Sequence, residues 1–339
     1  MKKKRKFTAV AILFAVYLVF GGAQTGLAQQ PEEAFHWYKG NTHTHTLNSD
    51  GDSAPDDVVR WYREHGYHFL VITDHDYFTN VDGLNAVLGA EDQFLVIEGI
   101  EASYDIDSKA IHINGLNPEH YILPENGRDV VETVQKNVDA IRKAGGVPHI
   151  NHPNFMWSLT AEDLKHIAGC KLFELYSGHP RINNFGGGGL PSVEEIWDDV
   201  LSSGKLIYGL AVDDAHTFKD PWNKDAARPG QGWIVVKAEQ LTAEALLEAM
   251  ENGDFYSSTG VEIEELDADE SSLSITIKAR GTTKFRTQFI GKNGMVFKED
   301  VSNPATYLFK GDEMYIRAKI VDSNGRIAWT QPVMMKSEQ

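Results

Sequence analysis

Residues 69–76 read Phe69-Leu70-Val71-Ile72-Thr73-Asp74-His75-Asp76, an apolar run that ends abruptly in acidic residues and a histidine. A short run that contains β-branched and aromatic residues is typical of a buried β-strand. Enzymes with an α/β barrel place their catalytic side chains directly after such strands. The stretch therefore predicts an α/β protein whose functional groups lie at the carboxyl ends of its strands.

Similar apolar runs alternate with helical stretches from Trp37 to about Ala238. Amphipathic helices are predicted over residues 55–64, 130–144 and 192–203 from their 3.6-residue apolar period. Strands separated by helices favour parallel pairing, and about seven such units favour a barrel over an open sheet. Strands are predicted over residues 37–46, 69–73, 94–100, 110–115, 146–150, 172–176, 206–212 and 232–236.

The first 28 residues have the three parts of a signal peptide. Residues 2–6 are all basic, residues 7–20 form an apolar run, and small residues follow up to Ala28. Such a segment directs export and is removed from the mature protein. We therefore expect a secreted or periplasmic protein with no stable membrane span after cleavage. An uncleaved membrane anchor is the alternative.

The remainder of the chain is strongly acidic. Removing residues 1–28 takes five basic and no acidic residues from totals of 32 and 49, which leaves a net charge of −22. A surface of this sign repels the backbone of a long nucleic acid, so a polymer-binding groove is not expected. The charge does not exclude a small phosphorylated substrate.

The pattern changes after a predicted helix at residues 243–252. From about Gly260 onward the sequence has no helical period, and strands are predicted at residues 273–279, 285–290 and 314–320. We expect a small all-β, sandwich-like C-terminal domain of about 75 residues. The predicted organisation is a signal peptide over residues 1–28, an α/β domain over 29–258 and the β-sandwich-like domain over 259–339.

Histidines and carboxylates gather at the predicted strand ends. His43 and His45 are two residues apart, so both side chains point to the same face of a strand. For any single histidine, a structural or surface role is the more common alternative. Bound metals explain the whole set better, because imidazole and carboxylate together suit zinc, manganese or iron. The segments concerned are residues 43–50, 72–76, 99–101, 111–113, 151–153 and 213–216.

These segments resemble the motifs of the polymerase and histidinol phosphatase (PHP) superfamily of metal-dependent phosphoesterases. The resemblance covers roughly residues 37–240 and does not include the β-rich tail. It implies a distorted (β/α)7 barrel with up to three metal ions. In chain order, the matching segments are His43-Thr44-His45 with Ser49-Asp50-Gly51, Ile72-Thr73-Asp74-His75, Gly99-Ile100-Glu101 with His112, His152-Pro153, and Asp214-Ala215-His216.

The resemblance also implies a division of the ligands. One metal would be held by His43, His45, Glu101 and Asp214. Glu101 would bridge to a second metal held also by His112 and His152. Asp50, His75 and His216 would hold the third. Nine protein ligands shared among three ions leave coordination positions open, as catalytic sites require. Glu101, Asp214 and His216 are the expected catalytic residues.

Two positions have neighbouring alternatives. Residues 148–153 contain both His149 and His152, and the family pattern favours His152, with His149 as the alternative ligand or a supporting residue. Asp213 stands beside Asp214, and strand alternation pairs Asp214 with His216.

Other polar residues are candidates for supporting roles. Asp74 and Asp76 could orient ligand imidazoles or cap the following helix. Arg181 and Arg228 are candidates for binding phosphate, and His179 for donating a proton to the leaving group; most such loop residues are simply solvated.

The sequence thus predicts a secreted metal-dependent phosphoesterase with two or three divalent ions, namely zinc, manganese or iron. Such ions lower the pKa of bound water from about 15.7 to about 7, so a metal-activated hydroxide could attack a small phosphorylated substrate. Two alternatives have the same ligands: a hydrolase of a non-phosphate bond, and a metal-containing binding protein without turnover.

Overall fold

Eight strands and six helices form between residues 36 and 252. The structure, a computed structural model, describes residues 35–220 and 222–335, so the predicted signal peptide lies outside the described residues. The helices are α1 Pro55–Glu64, α2 Asp82–Leu88, α3 Val130–Lys143, α4 Ala161–His166, α5 Val193–Ser202 and α6 Ala243–Asn252. The strands are β1 His36–Asn41, β2 Phe69–Ile72, β3 Leu95–Ile106, β4 Lys109–Leu116, β5 Val147–Ile150, β6 Leu172–Ser177, β7 Tyr208–Val212 and β8 Trp233–Ala238.

The helix boundaries follow from local sequence signals. α1 begins with Pro55, whose missing N–H costs nothing in the first turn of a helix. α5 begins with a reciprocal cap, in which the Ser192 side chain accepts from the Glu195 N–H and the Glu195 side chain accepts from the Ser192 N–H. Within the part of the chain that the structure describes, each helix is too short or too polar to span a membrane.

The strands form a mixed sheet. β1, β2 and β3 pair in parallel, as do β5, β6 and β7. The expectation of parallel pairing throughout is wrong at β4, which is antiparallel to both β3 and β5, and at β8, which is antiparallel to β1. Only Asp107 and Ser108, both with positive φ, connect β3 to β4. A two-residue connection leaves no room for the crossover that a parallel pair needs.

The sheet does not close through a continuous ladder. Its hydrogen-bonded path ends at β7. A single parallel bridge, between Thr44 and Ala215, joins the segment after β1 to the segment after β7. The His45 N–H donates to the Ala215 carbonyl at 2.9 Å, and the Asp214 N–H donates to the His43 carbonyl at 3.0 Å. A closed seven-stranded barrel therefore stays a prediction, while this bridge brings candidate ligands from both ends of the path together.

Both faces of the parallel strands are buried. Phe69 and Val71 of β2 belong to one apolar cluster, and Leu70 and Ile72 belong to another beneath α1 and α2. Because no residue of β2 faces solvent, all four of its residues must be apolar, as the sequence Phe69–Ile72 shows. The only polar positions available are therefore those that follow the strand.

The remaining described chain is almost entirely β-structure, with one 3-10 turn at Lys292–Gly294. β9 pairs with β8 and also with β16, so one sheet runs through both parts of the chain. β10, β11 and β14 form a separate three-stranded sheet, which shares an apolar core with the larger one. The strands are β9 Phe255–Ser258, β10 Ile263–Ala268, β11 Ser272–Ile277, β12 Phe285–Gly291, β13 Met295–Asp300, β14 Ala305–Leu308, β15 Tyr315–Asp322, β16 Ile327–Thr330 and β17 Val333–Met334.

A buried ion-pair network fastens the β-rich part to α5. Arg317 of β15 donates from Nε and Nη2 to the two oxygens of Asp198 at 2.8 and 2.7 Å. Glu194 lies 3.2 Å from the same guanidinium, and the Tyr315 hydroxyl also donates to Asp198. Arg317 is only 1% exposed. Removing one member would leave its partners buried and charged, which is the costly situation for a buried pair.

Replacing Arg317 with alanine is expected to lower the free energy of unfolding by about 3–5 kcal/mol, because the buried Asp198 carboxylate would lose its guanidinium partner and keep only the hydrogen bond from Tyr315. Urea denaturation checks this. The control is Lys165→Ala, which removes a surface pair with Asp199 and should change stability by less than about 1 kcal/mol. Equal effects of the two variants would contradict the assignment of Arg317 as a buried anchor.

Candidate metal centre

The site begins at the end of β1. The Asn41 side chain accepts from the His43 N–H at 3.0 Å and donates to the Gly232 carbonyl at 2.9 Å, which fixes the chain as it leaves the strand. His43 and His45 are fully buried, and both rings point to the same side, as their spacing predicts.

The first predicted ligand set is brought together around these two rings. His43 Nε2 lies 3.0 Å from His45 Nε2, 3.1 Å from Glu101 Oε2 and 3.3 Å from Asp214 Oδ1. His45 Nε2 is 3.2 Å from the same Glu101 oxygen and 3.3 Å from the same Asp214 oxygen. Ligand atoms around a tetrahedral zinc, with bonds of 2.0–2.2 Å, lie roughly 3.3–3.6 Å apart. The separations found here are at or slightly below this range, and Glu101 and Asp214 each lie beside both imidazoles.

The second predicted set surrounds the other oxygen of Glu101. His112 Nδ1 lies 2.9 Å and His152 Nε2 lies 3.5 Å from Glu101 Oε1. His112 Nδ1 is buried and makes no hydrogen bond with any described residue, although Glu101 Oε1 lies only 2.9 Å away. An ion would satisfy this atom, and Glu101 is positioned to bridge the first and second sets.

The third predicted set lies at the exposed side of the cluster. Asp50 Oδ1 is 3.3 Å from His216 Nε2, and Asp50 Oδ2 is 3.8 Å from His75 Nε2. His216 Nδ1 faces the carbonyl of Asp214 at 2.9 Å, which leaves Nε2 with a free lone pair. The side chains of Asp50, His75 and His216 are 56%, 24% and 18% exposed, whereas those of the first set are buried.

The three sets overlap more than the resemblance implies. His45 Nδ1 lies 3.5 Å from Asp50, and His75 Nδ1 lies 3.2 Å from Glu101 Oε2, so each ring touches two sets. Among the described residues, the groups of metal-binding side chains with mutually close ligand atoms contain all nine predicted ligands and no others. These groups are His45, Asp50, His75 and His216; His43, His152 and Asp214; His43, His45 and Glu101; and His75, Glu101 and His112.

Asp74 holds the loop that carries Asp50. Its side chain accepts hydrogen bonds from the Thr46 N–H at 2.7 Å, the Thr46 hydroxyl at 2.8 Å and the Ser49 hydroxyl at 2.7 Å. Gly51 completes the loop, since a Cβ there would lie 2.7 Å from the backbone of His45. Asp74 thus supports a ligand through its loop and does not orient an imidazole. Asp76 instead accepts from the Ser103 N–H.

The neighbouring alternatives separate clearly. His152 joins the cluster, whereas His149 lies behind it and is fully buried. Asp213 turns away from the cluster and accepts from the N–H groups of residues 230–232 and from the Tyr62 hydroxyl. Burial raises the pKa of Asp213 to about 6, despite these hydrogen bonds. Asp214 is the member of the pair that faces the candidate metal site.

The cluster concentrates negative charge among buried imidazoles. Burial alone would raise the pKa values of Glu101 and Asp214, but the surrounding histidines hold both well below their usual range. Burial alone would lower the pKa of His45, but its contacts with Asp214 and Glu101 raise it to about 9. The two carboxylates therefore favour a cation on these rings, either a proton or a metal ion, and metal binding displaces protons.

The three residues predicted to assist substrate binding or proton transfer differ in their surroundings. His179 lies beside the cluster, with its ring 5.4 Å from that of His216, and burial lowers its pKa to about 4. It is therefore neutral at pH 7, which does not suit the expected role as a proton donor. Arg181 is exposed, and Arg228 donates to Gln231 at 3.5 Å. The ring of Phe155 packs against that of His152, with 5.3 Å between the ring centroids, and places an apolar surface beside the cluster.

Two further polar residues, which the sequence did not predict, contact the candidate ligands. Glu174 is fully buried and contacts His43 Nδ1 at 2.5 Å. The Asn151 amide donates to Glu101 Oε1 at 2.7 Å. A signal for Glu174 was available, because it is the only charged residue in the apolar stretch of β6. A charge inside a buried strand requires a partner.

Replacing Asp50 with alanine is expected to reduce the number of bound divalent ions by one, because it removes the carboxylate from the third set and leaves the other two intact. Elemental analysis of the metal-loaded protein after gel filtration gives the count. The control is Asp56→Ala, an exposed carboxylate in the first turn of α1, which should keep the wild-type number. An unchanged count in Asp50→Ala would contradict the third set.

Comparisons with known proteins bear on the fold. No family model matches the chain. A 136-residue segment is 32% identical to the uncharacterized protein MJ1295 of Methanocaldococcus jannaschii and covers 36% of this chain and 62% of that protein.

A crystal structure from Bacteroides vulgatus is similar over most of the chain. It is that of a two-domain protein containing predicted PHP-like metal-dependent phosphoesterase, with a TM-score of 0.51 and 16% identity. The similarity covers 88% of this chain and 96% of the other. At 16% identity, this similarity shows a shared fold.

Proposed function

We propose that the chain is a metal-dependent hydrolase that cleaves phosphate esters of small substrates. The observation that carries the proposal is the position of Glu101, whose two oxygens face two different sets of histidines. A carboxylate shared in this way suits a catalytic centre with adjacent ions, because two neighbouring ions can stabilise both the attacking and the leaving oxygen of a displacement.

The donor set fits zinc, manganese or iron. Six imidazoles and three carboxylates combine the ligand types that these ions accept. When bound, divalent ions would lower the pKa of water and neutralise phosphoryl oxygens. With three ions, six positive charges would face the three carboxylates, leaving about +3 by simple charge counting. A phosphate ester could therefore approach a protein whose overall charge is negative.

The protein's own residues hold and orient this centre. Glu101 would fix the spacing between the first and second ions, and Asp214 would complete the buried first set. His216 stands at the exposed side, where its ring orientation is set by the Asp214 carbonyl. The exposure of Asp50, His75 and His216 supports entry of the substrate from this side. A structural zinc site, by contrast, has no open position.

We also propose a closed barrel, a C-terminal sandwich-like domain and a small substrate. The Thr44–Ala215 bridge supports closure of the sheet into a distorted (β/α)7 barrel. The separate three-stranded sheet and its shared core support a sandwich-like domain after about residue 258. The acidic composition supports a small phosphorylated substrate over a long nucleic acid.

His43→Ala and Asp214→Ala are each expected to reduce phosphate release by at least about a hundredfold, because each removes a ligand of the buried first set. The measurement is phosphate release by the metal-loaded protein from a panel of nucleotides and simple phosphomonoesters. The matched control is His65→Ala, which removes an exposed histidine at the C-cap of α1 and should retain full activity.

Different results would lead to different conclusions. Activity that survives in both ligand variants would contradict catalysis by the cluster. Bound ions without phosphate release from any substrate would favour hydrolysis of another bond or a binding role.

We also propose that the protein is exported, on the basis of the signal-peptide pattern in residues 1–28. The expected mature protein begins close to residue 29 and is found outside the cytoplasm. N-terminal sequencing of the protein from fractionated cells tests this. An intact N-terminus in the membrane fraction would instead support an uncleaved anchor.

A further inference from the structure

Glu174 is a buried carboxylate that belongs to none of the predicted ligand sets. It lies in the middle of β6, and its side chain is 0% exposed. Burying a carboxylate costs several kcal/mol unless charged or polar partners surround it. The partners that surround Glu174 are therefore informative.

The first partner is the ring of a candidate ligand. Glu174 Oε1 lies 2.5 Å from Nδ1 of His43, on the opposite side of the ring from the predicted ion. A carboxylate accepts hydrogen bonds only, so His43 must carry a proton on Nδ1. Its Nε2 lone pair then points at the atoms of Glu101 and Asp214. Glu174 therefore selects the ring form that can bind a metal through Nε2.

The second partner belongs to the other ligand set. Glu174 Oε2 accepts a hydrogen bond from the backbone N–H of His152 at 2.9 Å. This bond fixes the chain where it leaves β5, immediately before the loop that carries Phe155. The two oxygens of a single carboxylate thus contact a predicted ligand of the first ion and a predicted ligand of the second.

His149 explains why the carboxylate faces His43. Its Nε2 is 3.5 Å from Glu174 Oε1, too far for a good hydrogen bond, and neither ring nitrogen has a partner among the described residues. Of the two imidazoles near that oxygen, only His43 is within short hydrogen-bond distance. His149 therefore does not compete with His43 for the Glu174 carboxylate.

We propose that Glu174 is a positioning residue that orients His43 and His152 together, and so couples the first and second ion sites. The inference rests on the proposed metal centre but not on the identity of the substrate. Glu174 contacts no member of the exposed set formed by Asp50, His75 and His216. Its loss should therefore weaken two ion sites and leave the third unchanged.

The test compares Glu174→Gln with Asp74→Asn. Both variants replace a buried carboxylate, but the Asp74 side chain accepts hydrogen bonds from Thr46 and Ser49, in the loop that carries Asp50, and from the Thr79 hydroxyl. Zinc is titrated into the metal-free protein against a chromophoric chelator, and the cobalt-loaded proteins are compared by their visible absorption spectra. Glu174→Gln is expected to lower the affinity of two sites by about 10–100-fold and to change the cobalt spectrum. Asp74→Asn should weaken one site only.

Each outcome is decisive. If Glu174→Gln folds with reduced thermal stability but keeps wild-type zinc affinity and the wild-type cobalt spectrum, Glu174 is only structural and the inference is wrong. If that variant does not fold, Glu174→Asp keeps the charge on a side chain one methylene shorter, and the same loss at two sites is expected. A wild-type protein that binds no zinc, manganese or iron would overturn the proposed metal centre itself. That result is distinct from wild-type zinc binding that Glu174→Gln leaves unchanged.

Discussion

Two backbone hydrogen bonds hold the candidate metal centre together. They join residues 43 and 45, after β1, to residues 214 and 215, after β7. β7 is the last strand of its sheet, and β1 is separated from it along the hydrogen-bonded path by five intervening strands. The bridge brings the segments that follow these strands into contact. The side chains of His43, His45 and Asp214 lie close together because these backbone segments are hydrogen-bonded to each other. The predicted ligand sets that share these residues depend on that contact.

The sequence contained enough information to predict the strands and the cluster, for a physical reason. Buried strands need continuous apolar runs, and a polar residue that follows such a run lies at the edge of the sheet. His75 was found in this way. Glu101 also follows an apolar run, but β3 continues past it to Ile106, so Glu101 lies within the strand. Strand alternation favoured Asp214 over Asp213, although both residues lie beyond the end of β7 and Asp214 has a positive φ.

Features that depend on the pairing of distant strands could not be predicted as well. The apolar pattern of β4 fits parallel and antiparallel neighbours equally, and only the brevity of the Asp107-Ser108 connection reveals the hairpin. Glu174 was missed because its importance comes from the distance to His43, 131 residues away in the chain. A pattern within β6 shows that the carboxylate needs a partner, but it cannot show which partner. The overlap of the ligand sets at His45 and His75 depends on ring orientation, which spacing along the chain does not determine.

The solvent exposure of the candidate ligands differs between the two sides of the cluster. At one end Asp50 is more than half exposed, and at the other end His43 is sealed from solvent by Glu174 and the sheet. Water could reach an ion held by Asp50 directly, whereas an ion held by His43 could leave only after the side chains and ions on the exposed side of it had moved. The order in which ions load and the order in which a chelator strips them are then opposite. When metal is scarce, the innermost ion would be retained longest.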